Sequence, residues 1–264
     1  MTGIDNNNNS KGAVAASYMN EMRELHAGKP MAYSRAAYIV GSDDDTTNIG
    51  NAIQQNLFER EDDSLVGLFY QESDRDIINN TDFFCDPSAD ILVLANGFTH
   101  LDWIENQPED KIQKVISDCL TASIIATKRF VEATINSPHK KYIVYIGSMA
   151  YKGVLNGSSP YCAAKAGLSH FMKCVAWELA PKGYNVFCVN PSNTENTPMA
   201  EATIQGLMRY RNITEEEARK YWASCLPKDK WLQKEEIAEV VAFLISGKAD
   251  YLSGSNIDLA GGQR

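Results

Sequence analysis

The chain of 264 residues has no run approaching the ~20 apolar residues of a membrane helix. Its opening, Met1-Thr-Gly-Ile-Asp-Asn-Asn-Asn-Asn-Ser10, lacks the basic stretch and apolar segment of a secretion signal. Neither a membrane span nor export is therefore expected, and the location read from the sequence is cytoplasmic. Basic charge is in deficit: 25 Lys and Arg stand against 34 Asp and Glu, a formal net charge of −9. That balance excludes a broad phosphate-binding surface for nucleic acid or for an anionic membrane. Six cysteines (Cys85, Cys119, Cys162, Cys174, Cys188 and Cys225) form no C-x-x-C pair, and the four histidines are equally dispersed. Reduced thiols and no metal centre are expected. There is no internal repeat. The partners that remain are small molecules and further copies of the chain.

What is present suits one domain. At 44% hydrophobic and 22% charged, the chain can bury a full core of α/β size. Residues 1–34 read as an N-terminal extension, with a polar, disordered start and a short amphipathic helix from Val14 to Leu25 stopped by Gly28-Lys-Pro30. Residues 35–264 read as the folded domain. Strand signals fall at 36–40, 64–70, 90–94, 142–146, 185–189 and 255–259, and helices at 48–57, 110–135, from Pro160 onward and at 235–245. Alternation of this kind means parallel crossovers. Within 200–230, Thr214-Glu-Glu-Glu217 is a capping box, so this segment holds a helix and is expected to act as a lid.

Three residues carry the chemistry. Tyr161 and Lys165 are four positions apart in a segment opened by Pro160, which favours a first helical turn. Residues i and i+4 share a helix face, so the ammonium is carried beside the phenol. Ser148 lies 13 positions before Tyr161, at the end of the apolar run 142–146, and can face both. At about 5 Å and an effective dielectric near 20, the lysine would favour phenolate by roughly 3 kcal/mol, lowering the pKa from about 10 by roughly two units. A tyrosine tuned in this way exchanges a proton with a carbonyl oxygen near neutral pH.

With Asp90-Ile-Leu-Val-Leu-Ala-Asn-Gly97 upstream, Pro191 and Thr197-Pro-Met199 downstream, and a closing helix and strand through Gly261-Gly262, the chain resembles the short-chain dehydrogenase/reductase family from about residue 35 onward. The resemblance implies a Rossmann-like doubly wound parallel sheet and hydride transfer between NAD or NADP and a small alcohol or carbonyl substrate. It implies catalytic roles for Ser148, Tyr161 and Lys165, with Lys165 also bonding the nicotinamide ribose. It places Asn96, Gly97, Pro191 and Thr197 beside the cofactor. A homodimer or homotetramer is implied too, with the helix at 110–135 and the tyrosine helix pairing across a two-fold axis through residues such as Ile124, Phe130, Phe171 and Val175.

The N-terminal half departs from the family pattern. The glycine turn reads Val40-Gly-Ser-Asp-Asp-Asp-Thr-Thr-Asn-Ile-Gly50, in which Gly41, Ser42, Asn48, Ile49 and Gly50 are the residues expected at the cofactor phosphates. Three aspartates in the same loop oppose a diphosphate unless they face solvent. Only 45 residues separate Gly50 from Ala95, about one βα unit short, so six strands are expected. Glu72, after the second strand, is the candidate for the ribose 2′-hydroxyl and gives a slight lean to NAD. Cys119, or with one residue of slippage Asp118, occupies the position of the family's relay asparagine. Ser192 stands where the family has glycine. Trp222 is the best placed of the four tryptophans to line a pocket. These departures keep a second reading open: a non-catalytic binding or structural protein that has lost normal dinucleotide binding.

Overall fold

The computed structural model describes residues 36–41, 48–59, 89–227 and 231–263. Among the described residues five strands form one parallel sheet, ordered as they occur in the chain: β1 (Ala36–Val40), β2 (Ala89–Leu94), β3 (Lys141–Ile146), β4 (Tyr184–Pro191) and β5 (Asn256–Leu259). All six residues of β2 and all six of β3 are buried, as apolar strands covered on both faces must be. β1 pairs directly with β2, and the registers Val40↔Leu94 and Leu94↔Tyr145 bring the carboxyl ends of the first three strands level. The expected strand at 64–70 and the expected extension at 1–34 lie outside the described residues.

Helices cover both faces. On one side α1 (Ile49–Glu59) and α7 (Lys234–Ile245) bury Ile53, Leu57, Ile237 and Val241 against Ile39, Val93 and Val144. On the other lie α2 (Glu109–Ile116), α3 (Ala122–Thr134) and α4 (Ser159–Leu179), whose Ala126, Phe130, Leu168 and Met172 pack on Leu92, Ile143 and Tyr145. Two further helices, α5 (Pro198–Arg211) and α6 (Glu215–Ala223), follow β4 and occupy the segment expected to form a lid. The capping box read at Thr214 and Glu217 is present at the start of α6. Among the described residues no helix is long and apolar enough to cross a membrane.

Two expectations need correction. The helix foreseen at 110–135 is present as an unbroken helical stretch, but not as a regular α-helix: α2 and α3 are joined by a π-helical turn, Ser117–Thr121. Such turns insert a residue into a helix and release a backbone group, and here Asn96 Nδ2 donates to the Asp118 carbonyl at 2.5 Å. Phe130 and Val175 are buried inside the protomer and so are not free to form a two-fold interface.

Candidate functional site

In parallel α/β sheets, ligands collect beyond the carboxyl ends of the strands. Gly41 follows β1, Ala95 to Gly97 follow β2, Gly147 and Ser148 follow β3, and Pro191 closes β4. The chain must be thin at the first of these points. Gly41 has φ +85°, and a Cβ there would lie 2.7 Å from the backbone of Ala95 and Asn96, so no side chain fits. Asn48 follows in the next described segment, accepting the Asn51 N–H on Oδ1 at 2.8 Å and opening α1, which contains Ile49 and Gly50. Ser42 and Glu72 lie outside the described residues.

Ser148 leaves β3 in an extended conformation, and its Oγ accepts the Ala150 N–H at 3.1 Å, fixing a short turn over Met149–Tyr151. Pro160 lies in the first turn of α4, as its fixed φ allows, and the helix carries Tyr161 and Lys165 on one face. Lys165 is only 3% exposed. Its Nζ donates to the Ile146 carbonyl at 2.9 Å and stands 5.7 Å from the Tyr161 ring centre. Tyr161 packs among Val115, Cys119, Ala150 and Ala164, with Phe98 and Met199 closing the group, and its hydroxyl donates to the Met199 sulfur at 3.6 Å. Gly97 faces the same group: a Cβ there would lie 3.4 Å from Met199 Cε, 3.6 Å from Cys119 Sγ and 3.7 Å from Lys165 Nζ. Ser148, Tyr161, Lys165 and Gly97, read from separate parts of the sequence, thus meet at one end of the sheet.

The electrostatics differ from the spacing argument. Burial raises the Tyr161 phenol above the ordinary tyrosine range, while Lys165 and Ser148 pull in the opposite direction without reversing it. Spacing foretells the lysine but not how far the phenol is withdrawn from water, and desolvation outweighs the charge.

Cys119 and Asp118 also separate. Asp118 forms an ion pair with Lys114, whereas Cys119 turns inward, donating from Sγ to the Phe98 carbonyl at 3.2 Å and accepting the Phe98 N–H at 3.4 Å. Of the two, Cys119 is the one whose side chain packs with Tyr161. Thr197 accepts the Ala200 N–H at 3.1 Å and caps α5. That cap aims Met199, in the first turn of α5, at Tyr161. Met199 went unread as a site residue because its role depends on how α5 docks; its place two residues after the capping threonine was the available signal. Trp222 stacks on Trp231, with ring centres 6.4 Å apart, Trp103 meets Tyr210 edge-on, and Trp177 is 86% exposed. None of the four packs around Tyr161.

A family model described as Enoyl-(Acyl carrier protein) reductase matches residues 85–264. The 3-oxoacyl-acyl-carrier-protein reductase FabG of Escherichia coli K12 is 30% identical over 174 residues, 66% of each chain. The human (3R)-3-hydroxyacyl-CoA dehydrogenase is 27% identical over 172 residues, 65% of this chain and 61% of its own. The chain spans about two thirds of the length of these curated relatives. A variant of actinorhodin polyketide ketoreductase, solved with NADPH, superposes with TM-score 0.75 over 87% of this chain and 97% of its own at 23% identity. A putative 2-deoxy-d-gluconate 3-dehydrogenase of Agrobacterium tumefaciens, solved with NADP, gives TM-score 0.73 over 88% and 96% at 24% identity. At these identities the structural likeness bears on the fold, and it agrees with the sheet and crossovers described above. With the family-model match over 85–264, this establishes that the chain belongs to the short-chain dehydrogenase/reductase family.

Proposed function

We propose that this chain is an NAD(P)-dependent oxidoreductase that moves hydride between a nicotinamide and a small alcohol or carbonyl substrate, with Tyr161 as the general acid and base. The observation that carries the reading is the convergence of Tyr161, with Ser148 and Lys165 acting on its phenol, and of Gly97 beside Lys165, at the carboxyl edge of the sheet. Gly41, Asn48, Ile49 and Gly50, with Ser42, would hold the phosphate end of the cofactor, and Asn96, Gly97, Lys165, Pro191 and Thr197 its nicotinamide end. The residues fit that group: the space beside Gly97 is a gap that a Cβ would fill at ordinary contact distances. A bound nicotinamide would supply the hydride. Ser148 Oγ would hold the substrate oxygen, and Tyr161 would deliver its hydroxyl proton to that oxygen as negative charge develops there. Lys165 would stabilise the phenolate left behind.

Burial raises the phenol pKa, so Tyr161 is protonated at neutral pH, the form that donates in the reductive direction. In the reverse direction the phenolate must accept a proton. Lys165→Met removes a charge that lowers this pKa, which shifts it further upward. The rise of the oxidation rate with pH should therefore move to higher pH in Lys165→Met, and an unshifted pH profile would contradict the assigned role.

Although the matching family model is described as an enoyl reductase, the four-residue Tyr161 to Lys165 spacing and the curated relatives favour carbonyl reduction. A short 3-oxoacyl thioester is accordingly the first substrate to assay. Helices α5 and α6 would close over it as the lid. The relatives solved with NADPH and NADP argue against the slight lean to NAD taken from Glu72, so both reduced cofactors are titrated. Binding that shifts the melting temperature, followed by thioester-dependent cofactor oxidation, supports the reading. If neither cofactor binds at millimolar concentration, the reading fails and the non-catalytic alternative replaces it. Light scattering on the purified chain tests the expected homodimer or homotetramer.

Gly97→Ala offers a sharper check. Its added methyl meets nothing closer than 3.4 Å, so the melting temperature should stay near that of the wild type. The same methyl occupies the cofactor gap, so NADPH should bind about tenfold more weakly, a difference of about 1.4 kcal/mol. Unchanged affinity would place the nicotinamide elsewhere.

A further inference from the structure

Next to the turn before Ser148 lies a largely buried polar network that the proposed chemistry does not use. At its centre is Asn190, 0% exposed. In the register of β4 and β5, Asn190 pairs with Asp258 and Cys188 with Asn256, and alternate positions of a strand share one face. Asn190 Nδ2 donates to Asp258 Oδ1 and to Asn256 Oδ1, each at 3.1 Å. Its Oδ1 accepts the Cys188 thiol at 3.3 Å. Burial pushes that thiol up to about 12, which keeps it protonated as a donor.

The network reaches the site by three routes. Gly147, immediately before Ser148, rests against it: a Cβ there would lie 2.1 Å from Asn190 Oδ1 and 2.7 Å from Cys188 Sγ, and the Gly147 N–H donates to the Val189 carbonyl at 2.7 Å. Tyr151 and Lys152, just after Ser148, are tied to the other carboxylate oxygen, Asp258 Oδ2, at 3.4 Å and 2.5 Å. Ser169, one turn beyond Lys165 on α4, donates to Asn256 Oδ1 at 3.0 Å. The same few side chains therefore hold the turn before Ser148, the turn after it, and the helix that presents Tyr161 and Lys165.

We propose that Asn190, clamped by Asp258, is a positioning residue that holds Ser148 in register with Tyr161. It touches neither substrate nor cofactor and acts through Gly147 and the 149–152 turn. The inference rests on the catalytic reading above and adds to it the residues that set the serine. An Asn190 side chain against Gly147 also explains why no side chain is tolerated at 147, where the contact would be far inside van der Waals distance.

The test is a double-mutant cycle on the full chain, with NADPH and a 3-oxoacyl thioester. Asn190→Ala should lower kcat about tenfold or more, since a misplaced catalytic group is costly, with the NADPH dissociation constant within about twofold of wild type. In a Ser148→Ala background the same substitution should cost less than about threefold, because groups acting as a unit are not additive. If the two losses multiply, the role is general and structural, and the proposal is overturned. A second measurement does not use turnover. Hydrogen exchange of the peptide covering 147–152 should quicken about tenfold or more in Asn190→Ala, with the peptide covering 89–94 unchanged. Unaltered exchange at 147–152 also overturns the proposal. If Asn190→Ala does not fold, Asn190→Ser and Asp258→Asn are carried through the same two measurements and judged by the same outcomes. A wild-type rate in Ser148→Ala would refute the catalytic reading instead, and the exchange result would still decide the positioning.

Discussion

Replacing Tyr161 with phenylalanine should lower the rate of carbonyl reduction by about 10²–10⁴-fold, the usual contribution of a positioned general acid, while NADPH binding stays within about twofold. The substitution is clean for a structural reason. The Tyr161 hydroxyl donates to the Met199 sulfur, a weak acceptor that loses little when left without a donor. The ring itself remains among Val115, Cys119, Ala150 and Ala164, so the packing survives and the melting temperature should move by no more than about 2 °C. Three readouts then discriminate. A collapse of kcat with retained cofactor binding supports proton transfer by this phenol. A loss of binding would mean that the hydroxyl holds the cofactor. Turnover at the wild-type level would remove Tyr161 from the chemistry. Met199→Leu serves as a comparison: it removes the sulfur acceptor but keeps the volume, and it should leave kcat within about fivefold, because the productive acceptor of the proton is substrate oxygen.

Much of this was legible in the sequence, for reasons that can be traced residue by residue. The strands at 90–94 and 142–146 stood out because a parallel strand buried on both faces is nearly continuous in apolar residues. Tyr161 and Lys165 stood out because helix periodicity converts a four-residue spacing into adjacency. What could not be read depends on tertiary placement. The π-helical turn Ser117–Thr121 leaves no mark on the apolar pattern and is held from outside by Asn96, 22 residues away. The pKa direction of Tyr161 follows from burial by α2, α5 and the 95–100 loop, none of which is local to the Tyr-x-x-x-Lys segment. Asn190 and Asp258 lie 68 residues apart and become partners only through the register of β4 with β5. Residues marked by a local spacing or a strand end were thus visible, and contacts set only by how elements dock were not.

The same limit hid the feature expected to matter most for stability. Asp90 was read only as a landmark at the head of an apolar strand, and Lys141 was not read at all, yet both are 0% exposed and their side chains pair at 3.1 Å. They stand side by side at the amino ends of β2 and β3, the edge opposite Tyr161. Lys141 Nζ also donates to Ser137 Oγ at 2.8 Å and to the His139 carbonyl at 2.7 Å, so the ammonium exchanges water for three oxygens. Removing one member of a buried pair strands the other's charge at a cost of about 3–5 kcal/mol, a large share of the ~5–15 kcal/mol that holds a domain folded. Lys141→Met should therefore lower the melting temperature by roughly 10 °C, at about 2–4 °C per kcal/mol for a domain of this size. Asp90→Leu combined with Lys141→Met leaves no buried charge unpaired, and it should recover at least half of the loss, since apolar replacement of a buried pair is often neutral. Calorimetry on the three proteins decides the matter. A single variant that melts with the wild type would show that water reaches the Asp90 carboxylate, and a double variant worse than the single would show that the pair contributes net stability. Because the pair sits at the far edge of the sheet, kcat of Lys141→Met at 20 °C should stay within about twofold of wild type, separating this effect on folding from the effect of Tyr161→Phe on chemistry.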